Sequence, residues 1–178
     1  LDIVKEDSVD LIVKVSENSF DYEKLYLTLH EKLRKSGITI KYNRYFTSHL
    51  IDEFDIVVNC TYSNLNQLLC ESDQIDYQFE LVEKCIVSVG KDWQRKSVVI
   101  MDGEFCCIDP YGFDGYYHVI GHVKEAIHDR QVGKNYQVPL QYQSVLNYGY
   151  SNPAFSKFKE IFEATQEFFN YKSIPVAP

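Results

Sequence analysis

Between residues 79 and 123 the chain reads FELVEKCIVSVG, KSVVIMDG, GEFCCIDPYG and GYYHVIGHV, four β-branched and aromatic runs separated by Gly, Asp and Pro. Turn chemistry at each break predicts hairpins, and so an antiparallel sheet. Asp109-Pro110-Tyr111-Gly112 reads as a turn with Pro preset at a central position. Residues 104 to 109 are expected to pair antiparallel with residues 115 to 121 across the Asp109 to Gly115 turn. A lone hairpin is marginal in water, so the sheet should have at least four strands.

The chain before residue 70 has another character. VDLIVKV at 9 to 15 alternates and is β-branched, ITIKY at 38 to 42 repeats that signal, and FDIVVN at 54 to 59 is a third such run. Between the first two lies DYEKLYLTLHEKLRKSG, with Leu25, Leu29 and Leu33 four residues apart and Tyr22 and Tyr26 beside them. Asp21 can cap a helix here, Lys32, Arg34 and Lys35 suit its negative end, and Gly37 can form a left-handed stop. A helix over 21 to 36 is predicted, its leucines packed on strands at 38 to 42 and 54 to 58 as part of an α/β layer. A last helix should start at Asn152, with Pro153 in its first turn and Phe155, Phe158, Phe162 and Phe169 mostly along one side, and end before Pro175. No repeat or linker divides the chain, so a single compact unit, 1 to 178, of mixed α+β class is expected.

Charge and cysteine usage narrow the function classes. A net charge of -8, with Lys32, Arg34 and Lys35 as the only basic cluster, argues against a nucleic-acid surface, which needs clustered cations for phosphates. No apolar run approaches the roughly 20 residues that span a bilayer. Cys60, Cys70, Cys85, Cys106 and Cys107 are an odd set without CxxC spacing, so neither a zinc site nor a disulfide framework is expected. Reduced thiols in a cytoplasmic protein are the plain reading.

Read in order, SGITI, FDIVVNCTYSNL and VVIMDGEFCCIDPYGFDGYYHVIGHV resemble the central part of FAD-dependent oxidoreductases of the D-amino-acid oxidase, glycine oxidase and sarcosine oxidase type. In that family a helix and a G-[IV]-x-[IV] strand precede a D-x-V-[VI]-N-A-x-G-x-[WY]-[ST] strand and loop, then antiparallel substrate-domain strands that lie over the flavin. The resemblance implies that residues 1 to 70 form part of the FAD-binding layer and 71 to 178 the substrate domain. It implies that Asn59, Cys60, Thr61 and Ser63 approach FAD, with Cys60 a small buried residue in place of the family's Ala. The family's Gly falls at Tyr62 here. No G-x-G-x-x-G cluster occurs, and the chain begins at Leu1, so a middle portion of a longer flavoenzyme is expected, one that holds no FAD when alone. Its partners would be the missing flavin-binding segment or a second copy, and a small-molecule amine, amino acid or hydroxy acid. An ordinary strand-to-helix turn capped by Ser63 or Asn64 explains the same stretch.

Strand alternation places His118 and His122 on one face, with His122 matching a family position that faces flavin and substrate. His122 is thus the weak catalytic candidate, and Phe105, Cys107, Tyr117 and His122 are the candidate substrate-pocket residues. Phe105 and Cys107 should share one side and Cys106 the other. A reactive cysteine needs a nearby cation, whereas Glu104 and Asp109 flank this pair. The aromatics Tyr111, Phe113, Tyr116 and Tyr117 read more readily as cross-strand packing than as a pocket wall. A cofactor-free binding or interaction domain is the competing class.

Overall fold

In a computed structural model the chain is a mixed α+β protein. The structure describes residues 3–18, 20–112, 115–148 and 155–170. Six strands are present there: β1 Tyr77–Val82, β2 Cys85–Ser88, β3 Val98–Val99, β4 Cys106–Tyr111, β5 Tyr117–His122 and β6 Ile127–Gly133. The α-helices are α1 Tyr22–Lys35, α2 Leu140–Tyr148 and α3 Phe158–Gln166. No helix among the described residues is long and apolar enough to cross a membrane.

The chain divides into two compact units where the sequence led us to expect one. The first gathers Leu1–Ile38, Val82–Ile127 and Ser156–Pro178, and the second Thr39–Leu81 and His128–Phe155. The division does not follow the expected boundary at residue 70, because contacts group segments that are remote in sequence.

The first unit is built on an antiparallel sheet in the order β2-β5-β4-β3, as expected, except that the run FELVEKCIVSVG is split. Its first part belongs to β1, which pairs with β6, and only Cys85–Ser88 joins this sheet. The β4 to β5 register sets Cys106 opposite His122, Ile108 opposite Ile120 and Tyr111 opposite Tyr117. The hairpin expectation therefore holds, but Asp109, Pro110 and Tyr111 belong to β4 and the turn begins only at Gly112. Proline is tolerated in this strand for a specific reason. Ile100 N donates to Cys106 O, so the backbone polar groups of residues 106, 108 and 110 point towards β3, and β3 ends at Val98, opposite Ile108. The missing N–H of Pro110 falls where no strand needs it.

One face of this sheet is the core. Val87, Cys106, Ile108, Ile120 and His118 are buried on it, and α3 packs across β5 with Ile161 and Thr165 inward. Trp93 meets Phe169 edge-on at 5.4 Å between ring centroids, and Val4 bridges to Phe169. Glu83 joins this layer to the helix: its carboxylate accepts from Ser156 Oγ at 2.6 Å and from Lys157 N at 2.8 Å, capping the start of α3. The expected start of this helix at Asn152 and Pro153, its expected end before Pro175, and Phe113 all lie outside the described residues.

Helix α1 forms as predicted. Asp21 accepts from Lys24 N at 2.8 Å, and Gly37 follows at φ 75. Its surroundings differ from expectation. Residues 9 to 15, 38 to 42 and 54 to 58 form no strands, and Leu25, Leu29 and Leu33 are 41%, 49% and 37% exposed. Alternating β-branched residues make a run competent for a sheet, but a strand exists only when a neighbour supplies the ladder. The expected α/β layer is therefore absent from the described residues.

The second unit holds the β1–β6 ribbon and α2. Phe79 stacks on Tyr136 at 5.9 Å, and Arg130 Nε meets Glu80 Oε1 at 2.9 Å. Asn66 is its polar anchor. Its amide nitrogen donates to Ile75 O at 2.8 Å and to Lys134 O at 2.6 Å, while its oxygen accepts from Ile75 N at 3.4 Å.

Candidate functional site

The residues expected at the flavin form a self-contained loop. Asn59 Nδ2 donates to Leu65 O at 2.9 Å, and Asn59 Oδ1 accepts from Thr61 N at 3.2 Å and Thr61 Oγ1 at 2.7 Å. Both ends of the amide are committed to the loop, an arrangement suited to shaping a turn. Cys60 is exposed, against the small buried residue expected, because no strand buries it. Ser63 lies inside a 3-10 helix, Tyr62–Leu68, whose N-cap is Thr61 with no side-chain capping bond, so neither Ser63 nor Asn64 is the cap.

Asn59, Cys60 and Thr61 line an open cleft of about 300 Å³ with Phe46, Phe54, Ile56, Val57, Val58 and Leu68. The cleft is open and lies at the lower end of the volumes that small-molecule sites occupy. A dinucleotide needs an α-helix N-terminus for its pyrophosphate, whereas here the loop enters a 3-10 segment kinked at Asn64. This loop does not by itself supply a pyrophosphate site.

Tyr62 has a left-handed backbone, φ 55, at the position where the resembling family has glycine, and its side chain is 90% exposed. Left-handed geometry costs a non-glycine residue about 1–2 kcal/mol. Glycine removes that strain but loses roughly 0.5–1 kcal/mol to the entropy of the unfolded chain. Tyr62→Gly should therefore be stabilising by up to about 1 kcal/mol in thermal unfolding, with Tyr62→Ala giving no such gain.

The four expected pocket residues are split across the sheet. Phe105, Cys107 and Tyr117 lie on its outer face, and His122 lies on the inner one with Cys106, because partners across β4 and β5 share a side. His118 and His122 do share a face, as alternation required. His122 Nδ1 accepts from Lys124 N at 3.3 Å and Glu125 N at 3.2 Å, which places its proton on Nε2 and gives it a turn-capping role after β5. His118 Nε2 meets Lys96 O at 2.9 Å. No group of three or more metal-ligating side chains occurs among the described residues.

The outer face holds a constellation that the sequence did not reveal. Lys84 Nζ lies 4.0 Å from Cys107 Sγ, and its side chain runs across Gly121, the partner of Cys107 on β5. A Cβ at Gly121 would collide with Lys84 Nζ. On the same face Ser97 Oγ donates to Asp109 Oδ1 at 2.5 Å. Burial pushes the Cys107 thiol up, the Lys84 cation opposes this, and Asp109 reinforces it, so the thiol stays protonated and is a poor nucleophile.

Cys85 and Cys106 are held further from ionisation. Burial pushes both thiols up to about 12, helped by Glu83 beside Cys85 and by Cys107 beside Cys106. The exposed Cys60 and Cys70 should react with a thiol reagent in the native protein at neutral pH, Cys107 more slowly, and Cys85 and Cys106 only on unfolding. An unfolded chain gives up these protons near 9, whereas the folded one keeps them to about 12. Folding stability should thus be unaffected by these thiols below pH 9 and fall as pH rises from 9 to 12. Urea midpoints across that range check this, with a shallower decline expected for Cys106→Ala.

No family model, curated protein or solved structure matches the chain.

Proposed function

We propose that the chain is a cofactor-free interaction domain whose N-terminal arm docks a protein. One observation carries this reading: α1 has the composition of a helix buried on one side, yet it has no buried residue. Leu11, Val13 and Val15, in the extended run before it, are exposed as well. Apolar surface of this kind marks protein contacts more often than it stays bare. The five free thiols support a reducing, cytoplasmic setting. The test is the native size of the tagged chain in its own cells. The wild type should run in a complex larger than a monomer and a Leu25→Glu/Leu29→Glu variant as a monomer, with far-UV circular dichroism unchanged. A monomeric wild type sinks the proposal.

A second reading is the substrate-domain part of an FAD-dependent oxidoreductase acting on a small amine, amino acid or hydroxy acid. It is favoured by the left-handed backbone of Tyr62 at the family's glycine position. The flavoenzyme reading expects no FAD on this chain alone, so the two are separated by titrating FAD, with flavin fluorescence as the readout, into a chain extended upstream through a G-x-G-x-x-G segment. Saturable one-to-one binding would overturn the cofactor-free reading.

A further inference from the structure

We infer that the partner of α1 is a second copy of this chain, joined through an antiparallel pair of α1 helices. This rests on the interaction reading above and names its occupant. Tyr22, Tyr26, Leu29 and Leu33 are spaced four, three and four residues apart, the spacing of a coiled-coil seam, and all four are exposed. The two ends of the helix carry opposite charge. Asp21 and Glu23 sit at its start and Lys32, Arg34 and Lys35 at its end.

A seam of this kind complements itself in one orientation. Antiparallel pairing sets Tyr22 against the other copy's Leu33 and Tyr26 against its Leu29, a large ring against a smaller side chain in every layer. It also brings each acidic start beside a basic end and opposes the helix dipoles. Parallel pairing would set Tyr on Tyr, Leu on Leu and like charge on like charge. The antiparallel arrangement has a two-fold axis and closes on itself, so it gives a dimer and no longer assembly.

Length sets the strength. Fourteen residues make a helix about 21 Å long. Two such helices bury less than the roughly 800 Å² per partner of a standard interface, so the dimer should be weak and concentration-dependent.

Sedimentation velocity over a concentration series at low salt tests this. The wild type should shift from monomer to dimer within the micromolar range. Leu29→Glu should raise the dissociation constant at least about tenfold by putting an unpaired carboxylate in the seam. Glu23→Lys should raise it about threefold if the helices are antiparallel, and leave it unchanged if they are parallel, where residue 23 faces its own copy either way. A Lys32→Glu/Arg34→Glu/Lys35→Glu variant should dimerise poorly alone and well when mixed with Glu23→Lys. A monomer at every concentration, a dimer indifferent to Leu29→Glu, or a dimer indifferent to Glu23→Lys overturns the inference. A purified monomer that still runs in a larger complex in cells would overturn the second copy while leaving the interaction reading intact.

Discussion

Ile108→Ala is expected to lower the stability of the first unit by about 3 kcal/mol, within the 2–5 kcal/mol typical of emptying a buried aliphatic site. Ile108 is fully buried on β4, flanked by Ile120 on β5 and Val98 on β3, so strands on both sides hold the backbone apart and the space cannot collapse. Trp93, the single tryptophan, is buried in the same core and reports its loss through fluorescence during urea unfolding. Val99→Ala serves as the control, since that side chain is exposed on the outer face, and should cost no more than about 0.5 kcal/mol. Equal costs for the two substitutions would mean that the inner face is not the core.

Asn66→Ala should be nearly as damaging to the second unit. Asn66 is 1% exposed, and its amide holds the chain near Ile75 to the chain near Lys134. Truncation removes three hydrogen bonds and leaves their partners to find others, a loss of about 2–3 kcal/mol. At 1.4 kcal/mol per factor of ten, amide exchange around residues 75 and 134 should speed up by about thirtyfold or more. Asn66→Asp should be worse still, since a carboxylate would face two carbonyl oxygens in place of a donor. Unchanged exchange in both variants would show that the ribbon stands without this anchor.

How much of this was legible in the sequence depended on how local each signal was. Helix α1 announces itself within its own span through the Asp21 cap, the leucine spacing and Gly37. Strands β3 to β5 have Gly or Asp turn residues near them, but Asp109 and Pro110, read as turn residues, belong to β4 itself. Strand β2 follows β1 after only Glu83 and Lys84, with no turn residue to mark the break. The runs at 9 to 15, 38 to 42 and 54 to 58 carry equal β character, but a strand depends on a distant neighbour that no local pattern reports. Strand β6, IHDRQVG, was missed because charges interrupt its alternation, and α2, LQYQSVLNY, because it has no apolar stripe. Alternation correctly put His118 and His122 on one face, yet both faces of GYYHVIGHV carry apolar residues, so it could not tell which face was the core. It was the family resemblance that placed His122 in one pocket with Cys107, and alternation could not correct it. The approach of Lys84 to Cys107 was illegible for a further reason: it follows from the register of β2 against β5, and nothing within either strand encodes it.

Pro110 has a meaning for how the chain survives at high concentration. Strand pairing on the β3 side of β4 stops at Val98 opposite Ile108, so any strand from another molecule that extended the sheet there would have to pair with β4 from Pro110 onward. At the residue whose donor would make that first bond, the chain offers a ring and no hydrogen. The open side of the sheet is thereby a poor template for sheet-to-sheet aggregation, a safeguard that leaves the interior untouched.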